Sequence, residues 1–141
     1  TTPENVTALL NSAGVPDLID WSEVIAAGDV VPAKKPAPDI FELALEQLRL
    51  PAAACVAVED SDNATRSALA AGLNALLITT SSYTQNQDFG EAALVVDRLG
   101  EPDAPVQILS GRHAGALKKT LPSPFHVDLA SLHALHAVAS G

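Results

Sequence analysis

Val56-Ala57-Val58-Glu59-Asp60-Ser61-Asp62-Asn63 is the stretch on which the fold of this chain turns. The apolar run from Cys55 to Val58 has the length of a buried strand. It ends in three carboxylates within four residues, Glu59, Asp60 and Asp62. Asn63 to Gly72 then reads as a helix closed by glycine. In parallel α/β sheets, ligands gather where the carboxyl ends of strands meet the next helix. Charges packed there are costly unless a cation or a partner offsets them. Glu59 and Asp60 offer the hard oxygens that Mg²⁺ takes, usually one or two carboxylates together with substrate phosphate and water.

Working outward, strand and helix alternate through residues 1–97, which points to βα units and a parallel sheet. Thr2-Pro3-Glu4 is a helix start, with a hydroxyl cap, proline in the first turn and an acid beside it. Val6, Leu9 and Leu10 follow at helical spacing, and Gly14 ends the run. Val15 to Asp20 reads as a connector, and Val24-Ile25 as a short strand. Pro36 and Pro38 hold residues 30–39 extended. The helix after them, to about Leu50, places Ile40, Phe41, Ala44, Leu45 and Leu48 on one face. Asn74 to Thr80, around Ala75-Leu76-Leu77-Ile78, and Ala92 to Val96 are further strands. Residues 111–124, broken by Gly111, Gly115, Pro122 and Pro124, read as a loop, and Val127 to Val138 as a last helix. The expected class is α/β, a Rossmann-like parallel sheet with flanking helices. Residues 1–105 form its main body, and 106–141 a loop and helix tail.

At 141 residues and 48% apolar content the chain can build one core. No apolar run nears the ~20 residues that span a bilayer, and one cysteine, Cys55, excludes an internal disulfide. The sequence therefore reads as soluble and cytoplasmic, without a membrane partner. A net charge of −9 makes it a poor nucleic-acid binder. Residues 1–107 hold sixteen of the seventeen acids, whereas 108–141 hold one acid, three bases and all four histidines. The sequence contains no methionine. Either the mature chain has lost its first residue, or it is a piece of a longer polypeptide. A helix cap at Thr2 with no strand before it favours the second.

Lys35 lies about one βα unit ahead of Glu59 and Asp60, so a parallel sheet brings an ammonium group and two carboxylates to one edge. A cation held by carboxylates beside a lysine is a phosphate site, because together they neutralise phosphoryl oxygens. Lys35-Pro36-Ala37-Pro38-Asp39-Ile40-Phe41, then Val58-Glu59-Asp60-Ser61 and Ala70-Ala71-Gly72, resemble the haloacid dehalogenase-like hydrolases. The similarity covers roughly residues 1–100. It is strongest to the branch of β-phosphoglucomutase, phosphoglycolate phosphatase and the CbbY-type sugar-phosphate phosphatases, with Thr1-Thr2-Pro3 and Asp88-Phe89 inclining toward the last.

The resemblance implies that Lys35 contacts the transferred phosphoryl group and that Glu59 and Asp60 hold Mg²⁺. It also implies that Ser61 and Asn63 orient ligands and bind phosphate. Thr1 or Thr2 lies near the family's second-motif hydroxyl, which is left unassigned. Ala64 stands where members usually have glycine. The nucleophile motif, Asp-x-Asp-Gly-Thr, is absent. Asp60-Ser61-Asp62-Asn63-Ala64-Thr65 is a poor substitute, being one residue too long and lying after the lysine. The implied parent is a Mg²⁺-dependent phosphatase of small sugar phosphates working through an aspartyl-phosphate, with this chain inactive by itself. A phosphosugar mutase of the β-phosphoglucomutase kind and a non-catalytic phosphate- or metal-binding module stand as alternatives. A receiver-type signalling domain has the opposite order, acids first and lysine last. His133 and His136 read as surface or partly packed, Cys55 as a structural thiol, and Thr79 and Thr80 equally as site lining or ordinary strand-end hydroxyls. A sheet without its first strand exposes an edge, so association or low solubility is expected.

Overall fold

The computed structural model describes residues 2–28 and 30–141. Thr1, one candidate for the second-motif hydroxyl, and Asp29, in the turn before the lysine, lie outside the described residues. Four strands pair in sequence order: β1 (Ala57–Glu59), β2 (Leu76–Thr79), β3 (Leu94–Val96) and β4 (Ile108–Ser110). β1, β2 and β3 run parallel, in register Val58 to Leu77 and Ile78 to Val95. β4 is antiparallel to β3, so the sheet is mixed and not wholly parallel.

Alternation along the strands sorts side chains to two faces. Leu76, Ile78 and Val95 enter one cluster with Ala57, Ala68, Leu73 and Phe89. Phe41 and Leu45 of α3 (Asp39–Leu48) and Leu69 of α4 (Asp62–Ala70) pack against it. Leu77, Leu94 and Val96 turn to the other face, where they meet Leu117 of α5 (Ala114–Thr120) and Leu135 of α6 (Leu129–Ala139). The segment 106–141 thus supplies an edge strand to the sheet and two helices to its second face. The expected loop over 111–124 contains α5. Gly115 is tolerated inside that helix because Leu117 is fully buried, and Lys118 and Lys119 occupy the last turn, where cations favour the helix dipole.

Glycine is required where β4 ends. Gly111 has φ +126, and a Cβ there would lie 2.6 Å from the Ala93 carbonyl oxygen. α4 closes on Gly72 at φ +83, with Leu73 N–H donating to Ala68 and Gly72 N–H to Leu69, a Schellman turn. α1 (Pro3–Ser12) starts as the sequence indicates, the Thr2 hydroxyl accepting from Asn5 N–H. Two upstream expectations are corrected. Val24-Ile25 forms no strand, since it finds no paired neighbour, and the connector holds a single helical turn, α2 (Leu18–Trp21).

Candidate active site

The corner at the carboxyl end of β1 is built by two segments far apart in sequence. Lys35 sits in a run of bends and turns over residues 30–38, not in the extended segment expected of Pro36 and Pro38, because Ala37 N–H closes a turn on Lys34; the Lys35–Pro36 peptide is cis. Asp39, in the first turn of α3, accepts from Ala33 N–H at 3.3 Å. Glu59 is the last residue of β1 and shares the face of buried Ala57. The Lys35 ammonium meets the Glu59 carboxylate at 2.5 Å, with side chains 36% and 18% exposed. The Phe41 ring lies 5.0 Å from the same nitrogen, within cation–π range.

The other acids are arranged differently. Asp60, one residue on, is exposed and has no partner among the described residues. Ser61 is the N-cap of α4: its hydroxyl accepts from Ala64 N–H at 3.4 Å, and its carbonyl from Thr65. Asn63 accepts from the Arg66 guanidinium at 2.8 Å. Two hollows beside Lys35 are lined without Ser61 or Asn63. One, of about 390 Å³, includes Val6, Ala27, Lys34 and Ile40. The other, of about 420 Å³, includes Val24, Phe41, Leu48 and Glu59. The structure therefore joins Lys35 to Glu59 directly, keeps Asp60 adjacent, and uses Ser61 and Asn63 within α4 itself.

Mg²⁺ can be tested against this donor set. Among the described residues no group of three or more His, Cys, Asp or Glu forms a metal cage. Glu59 and Asp60 are hard oxygen donors open to solvent on at least one side. They fit an ion held by one or two carboxylates and completed by water and phosphate, the usual Mg²⁺ arrangement. When bound, such an ion would neutralise charge on phosphoryl oxygens.

Three residues that tie this corner together had no such role in the sequence reading. Gln87, in the loop after β2, accepts from Asp62 N–H at 2.9 Å and covers an orphan donor at the start of α4. Phe89 anchors that loop in the core at 7% exposure. Ser67, wholly buried on α4, donates to the Ala37 carbonyl at 2.5 Å. A hydroxyl on the Ala-rich inner face of a helix was the available signal, since buried polar groups need partners. Three of the remaining candidates lie elsewhere. His136 contacts the Ala53 carbonyl at 2.7 Å, His133 is exposed, and Cys55 precedes β1 with its sulfur 3.6 Å from the Pro51 carbonyl. Thr79 and Thr80 are half-buried at the end of β2.

Comparison with known proteins agrees with the fold. The model of the haloacid dehalogenase-like hydrolase family matches residues 1–72. Protein CbbY of Rhodobacter capsulatus is 51% identical over 92 residues, covering 65% of this chain and 40% of that protein. The plasmid-borne CbbY of Cupriavidus necator is 35% identical over 138 residues, 96% of this chain and 50% of its own length. A variant of CbbY from Rhodobacter sphaeroides, solved in complex with xylulose-(1,5)bisphosphate, superposes with a TM-score of 0.65 at 40% identity, covering 73% of this chain and 47% of that one. The same protein in complex with phosphate gives 0.64 at 42% identity, covering 69% and 43%. This chain belongs to the haloacid dehalogenase-like hydrolase family. It spans about half the length of these relatives or less.

Proposed function

We propose that these residues are the lysine- and metal-bearing half of a Mg²⁺-dependent phosphatase acting on small sugar phosphates through an aspartyl-phosphate. Lys35 is its phosphate-contacting catalytic residue, Glu59 and Asp60 its Mg²⁺ ligands, and Ser61 and Asn63 its auxiliary ligand-orienting and phosphate-binding positions. Residues 1–105 then belong to the C-terminal portion of the hydrolase core and 106–141 to an extension packed on it, in a cytoplasmic protein. No helix among the described residues is long and apolar enough to cross a membrane.

The observation that carries the reading is the contact between Lys35 and Glu59, two motif residues 24 positions apart brought together at a strand's carboxyl end. An ammonium group already paired with a carboxylate exchanges that partner for a phosphoryl oxygen with little reorganisation. The relatives solved with phosphate and with a sugar bisphosphate support a small phosphorylated ligand. The nucleophilic carboxylate of the reaction is not supplied by Asp60 or Asp62, which follow the lysine in the chain. The test is calorimetric titration of the chain with inorganic phosphate, with and without Mg²⁺. Mg²⁺-dependent binding, weakened at least about tenfold by Lys35→Met and by Asp60→Asn, is expected. Phosphate binding that ignores both substitutions, or no binding at all, would sink the proposal.

A further inference from the structure

The Lys35 turn belongs to no helix or strand, so its position depends on what grips it from outside. Within the segment, Ala37 N–H bonds to Lys34 and Ala33 N–H to the Asp39 carboxylate, both local contacts. Besides the Lys35–Glu59 pair itself, the grip from a distant element is the bond from the Ser67 hydroxyl to the Ala37 carbonyl, across 30 residues. Ser67 is wholly buried. A helical serine ordinarily returns its hydroxyl to its own helix or to water, whereas this one reaches across to the turn carrying the lysine. α4 begins at Asp62, just past the acids. One helix therefore holds the acid corner at its first turn and the lysine turn at its middle.

We propose that Ser67 is a positioning residue that holds the Lys35 ammonium in register with Glu59 by fixing the Ala37 carbonyl. Its importance to phosphate binding rests on the function proposed above, but the grip itself does not. The test is competitive acylation of the intact chain with a limiting amine-reactive ester, read by mass spectrometry as the ratio of Lys35 to Lys34 modification. Lys34, exposed and without an ion pair among the described residues, is the internal standard. In the unmodified chain Lys35 reacts more slowly than Lys34, and Glu59→Gln sets the ratio for an unpaired Lys35.

Ser67→Ala and Ser67→Val raise the ratio roughly fivefold toward that benchmark, the equilibrium factor of one ordinary hydrogen bond. Ser67→Thr, equal in shape to the valine variant but retaining the hydroxyl, keeps the original ratio. Leu135→Ala, which loosens the far face of the sheet, leaves it unmoved and so separates positioning from general destabilisation. The proposal is overturned if Lys35 reacts as fast as Lys34 in the unmodified chain. It is equally overturned if the alanine and valine variants leave the ratio unchanged, or if the threonine variant behaves as they do. Failure of the phosphatase reading would appear separately, in the phosphate titration.

Discussion

Lys35 and Glu59 meet at a half-exposed corner, and that exposure sets what the pair is worth. Ion pairs open to water contribute about 0–1 kcal/mol, whereas breaking a buried pair costs about 3–5 kcal/mol. Glu59→Gln is accordingly expected to cost less than about 1 kcal/mol in urea unfolding; a loss near 3 kcal/mol would mean that the corner is closed to solvent. Gln87 acts on a single backbone donor. Gln87→Ala should speed hydrogen exchange at the Asp62 amide by about fivefold, while Gln87→Glu, which keeps an acceptor, should not. At this scale the charged residues were readable, because Lys35, Glu59 and Asp60 sit in short motifs whose chemistry is local. Ser67 and Gln87 were not. Their partners lie 30 and 25 positions away, and nothing in the neighbouring sequence names them.

Among the elements, α6 shows how a helix is specified twice. Asp128 caps it by accepting from Ser131 N–H at 2.8 Å, and the Ser131 hydroxyl accepts in return from Asp128 N–H. Leu135 then fixes its inner face at 1% exposure. Leu135→Ala should lower unfolding free energy by about 2–5 kcal/mol, the usual range for a buried leucine. A cost under 1 kcal/mol would show that α6 lies loosely on the sheet. Asp97, just past β3, joins that strand to the approach to β4, accepting from Gln107 N–H and from Arg98, each at 2.8 Å. Its burial raises the carboxyl pKa, but these bonds outweigh it and hold the group below its ordinary 3.8. A depressed folded pKa gives stability that is present above the ordinary value and lost as pH falls through the folded one. The stability gap between the unmodified chain and Asp97→Asn should therefore be constant above about pH 5 and close as pH drops through and below the carboxylate range. A gap that widens in acid would contradict this. Long periodic elements such as α3 were legible in sequence. α5 was not, because a glycine-containing seven-residue helix exists only through the burial of Leu117.

Across the whole molecule, one boundary of the sheet stands apart. β1 pairs only with β2 among the described residues, and Val58 on it is 47% exposed. Trp21 and Leu9, upstream of it in the chain, are 81% and 67% exposed. An open strand edge and exposed apolar side chains each invite association with another chain. Sedimentation should show concentration-dependent association that Val58→Lys reduces; a monodisperse monomer across the concentration range would overturn the expectation.

By itself the sequence determined the α/β class, the order of the main βα units and the acidic corner following a lysine. Those properties follow from local patterning: apolar runs of strand length, capped helices and short motifs. Only the tertiary structure decided that β4 runs antiparallel, that α5 forms, that Val24-Ile25 stays unpaired, and that Ser67 and Gln87 bind the corner together. Each of these depends on a partner distant in the chain, and the free energy of meeting that partner is not written in the residues on either side.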